Sequence, residues 1–171
     1  NGKAPEAIFM KNHGLVVHSR SAERAMRIVD DINGGIMKML GIGENEFRQI
    51  KLAQSGEKCF ISQTPLVLEF LARHKVDKQF FDRYPLYPDQ LVYINNCLAH
   101  TPHKMRFEGG SVIYDDVTYN QAVTMEETLA AFLFVLQKIW DNNLPLSTMG
   151  EKDVAFINNW EAEKFRRSMV K

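Results

Sequence analysis

Two short apolar runs, Ala7-Ile8-Phe9-Met10 and Leu15-Val16-Val17, meet at the polar and flexible break Lys11-Asn12-His13-Gly14. Each run has the length of a buried strand, so the segment reads as a strand pair, Glu6–Lys11 and Leu15–His18. Gly14 lets the backbone turn or lets another group come close. His13, held between two stiff segments, is oriented in advance, which suits metal binding or proton transfer. On spacing alone, a single histidine at a strand break reads first as a hydrogen-bonded core residue.

A helix follows directly. Ser21 is its N-cap, and Ala22, Ala25, Met26, Val29, Ile32, Ile36, Met39 and Leu40 recur at helical spacing. Gly34-Gly35 costs about 1 kcal/mol per glycine relative to alanine, and is expected to mark close packing against another backbone. Gly41-Ile42-Gly43 ends the helix.

Beyond it, residues 44–63 read as a short helix and a loop. Thr64-Pro65 starts a helix whose buried side is Leu66, Val67, Phe70 and Leu71, and residues 77–84 add another turn. Leu91-Val92-Tyr93-Ile94 reads as a strand after Pro85 and Pro88. Residues 111–114 and 117–121 read as a hairpin turning at Asp115-Asp116, and Thr124 with Glu127 as a capping box opening a helix to about Asp141. Its buried stripe is Leu129, Phe132, Leu133, Leu136 and Trp140. A last helix, residues 151–168, buries Val154, Ile157, Trp160 and Phe165, and these aromatic residues read as core or subunit contact. Strands mixed with long helices give an α/β protein of one domain, with residues 1–43 as its core and 44–171 as an extension.

Lys plus Arg and Asp plus Glu both total 21, so the chain lacks the positive excess that nucleic acid or an anionic membrane would require. The longest apolar run, Leu129 to Leu136, falls far short of the roughly 20 residues that span a bilayer. Cys59 and Cys97 have neither metal-type nor redox-type spacing, so a reducing cytoplasmic setting is expected. The chain opens at Asn1 almost directly into a core strand, and the expectation is a piece of a longer polypeptide.

The run Phe9-Met10-Lys11-Asn12-His13-Gly14-Leu15-Val16-Val17, then Ser21 and Ala25 opening a helix, resembles the class II aldolase and adducin-head family. Tyr87-Pro88-Asp89-Gln90-Leu91-Val92-Tyr93 and residues 159–166 resemble features of its longer members. The resemblance implies a three-layer α/β domain with a mixed central sheet, represented here by its C-terminal half plus an extension. It also implies one zinc held by three histidines: a His-x-His pair on an earlier strand, and the histidine of the Asn-His-Gly step, which falls at His13. An open coordination position would take the oxygens of a sugar-derived substrate. The zinc would stabilise charge developing beside the carbonyl as a carbon–carbon bond breaks. The pair and the family's catalytic glutamate have no counterpart in these residues, so no catalytic residue is assigned. Arg24 stands where the family usually carries an acid, and His18 where it often carries glycine. The resemblance further implies a homo-oligomer, usually a tetramer, with the active site at the subunit boundary.

Three functional readings result. The first is a zinc-dependent aldolase-type lyase acting on a sugar phosphate or related hydroxy-carbonyl compound, with His13 as metal ligand. The second is a sugar-phosphate epimerase or dehydratase on the same scaffold. The third is a non-catalytic, adducin-like interaction module. Elsewhere, His100-x-x-His103 reads as a solvated loop, and His74 as favourable charge at a helix end. Asp115-Asp116 reads as a turn, since adjacent strand residues point to opposite faces. Gly34-Gly35 and Gly41-x-Gly43 lie within and after a helix and form no phosphate cradle, Gly109-Gly110 reads as a turn, and no serine or cysteine has the context of an activated nucleophile.

Overall fold

The computed structural model describes residues 4–43, 46–47, 49–99 and 101–159. They form a mixed α/β protein that divides into two compact units, with the boundary between Glu46 and Phe47. Every strand pair described is antiparallel, in one two-stranded and one four-stranded sheet. No described helix is long and apolar enough to cross a membrane.

The first unit consists of β1 (Ala7–Met10), β2 (Gly14–Val17) and α1 (Ala22–Met39). β1 and β2 pair in register from Ala7 opposite Val17 to Met10 opposite Gly14, as the two apolar runs required. The Ser21 hydroxyl accepts from the Arg24 N–H, which caps α1. At the far end Gly41 adopts φ +63, the Ile42 N–H reaches Met37 O at 2.8 Å and the Gly41 N–H reaches Lys38 O at 3.4 Å. This is the six-to-one and five-to-two closure for which glycine suits the left-handed position. Arg24 forks onto Glu6, with Nε and Nη2 at 2.9 and 2.8 Å from its two oxygens, and so ties the start of α1 to the start of β1.

Successive strand residues point to opposite faces, and here both faces are apolar. Ala7, Leu15 and Val17 are half-buried and α1 packs against β2, but Phe9 on the same face is 68 % exposed. Ile8, Met10 and Val16, on the other face, are 44, 39 and 41 % exposed. Strands apolar on both faces are typical of sheets covered on both sides. No residue of α1 is fully buried, and Met26 and Met39 stand in solvent. Gly34 and Gly35 have no atom within 4 Å of a Cβ placed on them, so the close backbone contact expected there is not made by the described residues.

The second unit holds β3 (Leu52–Gly56), β4 (Cys59–Ser62), α2 (Pro65–Arg73), α3 (Lys78–Arg83), α4 (Pro88–Gln90), a π-helical turn Leu91–Asn95, α5 (Asn96–Ala99), β5 (Met105–Glu108), β6 (Ser111–Asp115), α6 (Tyr119–Asp141) and α7 (Glu151–Asn159). The sheet order is β3-β4-β6-β5. α2 starts at Thr64-Pro65 as expected, with Val67 and Phe70 buried and Leu66 and Leu71 half-buried.

Four expectations are corrected here. Residues 52–62 form a hairpin, where a helix and loop were expected, because Cys59 to Ile61 find partners in Ile113 to Asp115, some fifty residues on. Leu91 to Ile94 are helical instead of extended: Pro88 opens the run, and buried Gln90 accepts from the Leu86 N–H at 2.8 Å while donating to Phe81 O at 3.2 Å. The β5–β6 hairpin turns at Gly109-Gly110, both at positive φ (+59 and +77), as a two-residue loop of the primed kind requires. Asp115-Asp116 therefore closes a strand instead of turning a hairpin. Finally, α6 begins at a Thr118/Gln121 capping box, six residues before the expected Thr124/Glu127 box. Leu129, Phe132, Leu133 and Leu136 are fully buried as anticipated, and α7 buries Ile157; Trp160 and Phe165 lie outside the described residues.

Candidate functional site

His13 occupies the tip of the first unit. Its backbone N–H donates to Met10 O at 3.1 Å, closing the loop Lys11-Asn12-His13, with Asn12 at φ 56. Gly14 follows at φ 141, a conformation open in practice only to glycine, while nothing lies within 4 Å of the Cβ it lacks. Backbone geometry, not crowding, thus requires the glycine of the Asn-His-Gly step. The His13 side chain is exposed.

A histidine-bound zinc needs three protein donors and an open position. Among the described residues no three His, Cys, Asp or Glu side chains converge. His18, five residues on, spends its Nε2 on Pro5 O at 2.6 Å. The described residues therefore fit one donor of such a site, not the site itself, and no reaction step is derived through the metal.

The other sequence candidates are dispersed. His74 lies against the rings of Phe70 and Trp140, with centroids at 4.4 and 5.4 Å. His100 lies outside the described residues. His103 lines an open cleft of about 290 Å³ together with Pro102, Lys104, Arg106, Asp115 and Asp116. Opposite charges answer one another there: Arg106 pairs with Asp115 and reaches Glu108 at 3.1 Å, and Lys58 stands 3.6 Å from Asp116. Exposed pairs of this kind add little stability.

The most developed polar cluster was not anticipated from the sequence. Glu126, on α6, is fully buried. Its Oε1 accepts from Ser62 Oγ on β4 at 2.6 Å, and its Oε2 accepts from the Tyr114 hydroxyl on β6. Burial raises the proton affinity of the Glu126 carboxyl above the usual glutamate range, against the opposing pull of these hydroxyls. Its position relative to Leu129 and Leu133, three and seven residues on, was the available signal: an acid on the apolar stripe of a helix. Cys97, on α5, is buried, and burial pushes its thiol up to about 11. That is the opposite of an activated nucleophile.

No family model matches this chain, and neither the curated proteins nor the solved structures contain a match to it.

Proposed function

We propose that this chain is part of a zinc-dependent aldolase-type lyase acting on a sugar phosphate or related hydroxy-carbonyl compound, with His13 supplying one of three histidine donors. The observation that carries the reading is the exposed imidazole at the tip of a hairpin that is apolar on both faces. The exposed apolar residues Ile8, Phe9, Met10 and Val16 support it further, since a three-layer domain with a mixed sheet would cover them with additional layers. On this reading the remaining donors come from polypeptide beyond these residues, in a cytoplasmic homo-oligomer whose substrate is a small sugar-derived molecule. When bound, zinc supplies Lewis acidity to the carbonyl and hydroxyl oxygens of the substrate. The part played by this chain is to hold the His13 ring at a fixed place on a stiff hairpin.

Native mass spectrometry in zinc tests the reading on the 171-residue chain and on the longer polypeptide containing it. The expected result is one tightly held zinc per longer chain, lost in His13→Ala, and only weak binding by the 171 residues alone. Stoichiometric zinc surviving His13→Ala would overturn the assignment. Product analysis with a panel of phosphorylated ketoses separates cleavage from epimerisation and dehydration. A longer chain that folds yet takes up no zinc is the result an adducin-like interaction module would give.

A further inference from the structure

The hairpin of β1 and β2 is attached to α1 at two points, one on each strand. Along the chain, β2 joins α1 through residues 18–21. From the other strand, Glu6 accepts from Arg24 Nε and Nη2 at 2.9 and 2.8 Å, one bond to each carboxylate oxygen. The root of the hairpin between these points is closed, because the His18 N–H donates to Glu6 O at 3.0 Å and His18 Nε2 lies 2.6 Å from Pro5 O. Packing grips the hairpin only lightly, since α1 has no fully buried residue. Without the fork, the covalent joint 18–21 would be the main hold, and it lies on one strand alone.

The place of Arg24 in α1 argues that it serves this attachment and not the helix. It is the third residue after the N-cap Ser21, where the positive end of the helix favours an acid and where Glu or Gln would complete a capping box. A cation there gains nothing from the helix, but it gains a planar, two-bonded carboxylate on β1's side. The two side chains are 56 and 46 % exposed, so the pair contributes to orientation more than to stability and is screened by salt. We infer that Arg24 and Glu6 are positioning residues for His13: their fork stops the hairpin from swinging about residues 18–21 and so fixes the imidazole relative to α1. The consequence for a metal rests on the reading of His13 as a zinc donor. Strand rise places the end of β1 about 14 Å from Glu6, and a binding constellation tolerates about 0.5 Å, so a swing of about 2° at that reach would use up the tolerance.

Residual dipolar couplings of the 171-residue chain test the attachment without any metal. In the wild type, the amides of β1, β2 and α1 are expected to fit a single alignment tensor. In Arg24→Gln, which keeps a capping partner for Ser21, the hairpin couplings should shrink relative to those of α1, while the melting temperature stays level. Glu6→Gln should act likewise, Arg24→Lys should be intermediate, and the exchanged pair Glu6→Arg with Arg24→Glu should restore the single tensor. Zinc titration of the longer polypeptide is expected to show about tenfold weaker binding in either Gln variant, recovered in the exchanged pair. One tensor in the wild type and both Gln variants alike, or zinc affinity unmoved by either, would overturn the inference. Absence of zinc from the wild-type longer polypeptide would sink the ligand reading alone, and the couplings would still decide the attachment.

Discussion

Phe81→Ala is expected to destabilise the second unit by about 3–5 kcal/mol, the range for deleting a fully enclosed phenyl ring. Phe81 has no exposed surface, and its ring bridges three elements. From α3 it stacks on Phe107 of β5 at 5.7 Å and leans on Phe132 of α6 at 5.2 Å, with Phe80 edge-on at 5.6 Å. The lost ring would leave a cavity whose walls belong to a sheet and two helices, which cannot all move inward together. Urea unfolding followed by Trp140 fluorescence is the measurement, since that indole packs on Phe70, Phe80 and Tyr84 in the same aromatic cluster. The expected signature is a lower midpoint with the slope against urea unchanged. A loss below about 1 kcal/mol would mean that the core collapses around the gap.

Glu126→Ala should cost a similar amount, about 3–5 kcal/mol, by a different route. Truncation leaves the buried hydroxyls of Ser62 and Tyr114 without their acceptor, each worth roughly 1–3 kcal/mol, in addition to the volume lost. Tyr114→Phe removes one donor and leaves the carboxyl its bond from Ser62, so it should cost only about 1–2 kcal/mol. Equal losses in the two variants would contradict a carboxyl shared among several partners. Circular dichroism melts of both, at one pH below neutrality, make the comparison.

The parts of the fold legible in the sequence are those that local chemistry decides. Ser21, Gly41 and the spacing between them delimit α1 because a cap and a left-handed terminus act over three or four residues. The Asn12-His13-Gly14 loop was legible for the same reason. Where distant pairing decides, the reading failed. Leu52-Ala53 and Cys59-Phe60-Ile61 are too short to declare themselves as strands, and β6 supplies the pairing that makes Cys59 to Ile61 one. Leu91 to Ile94 has the composition of a strand, yet Pro88 and the side-chain bonds of Gln90 hold it helical, so tertiary context overrides weak propensity. The Glu126 cluster draws its donors from residues 62 and 114, which only the folded sheet brings together. His13 stood out by local pattern, but a metal site is a meeting of distant residues, and among the described residues no group of three that could hold a metal is formed.

Cys97 gives the molecule a reporter of its own. A thiol shut inside the second unit, with its proton held tightly, reacts with an alkylating reagent only during excursions that open the core around α5 and Tyr114. Cys59, half-exposed on β4, stays within reach of the same reagent throughout. The ratio of the two modification rates therefore measures how often the interior breathes, with no label added.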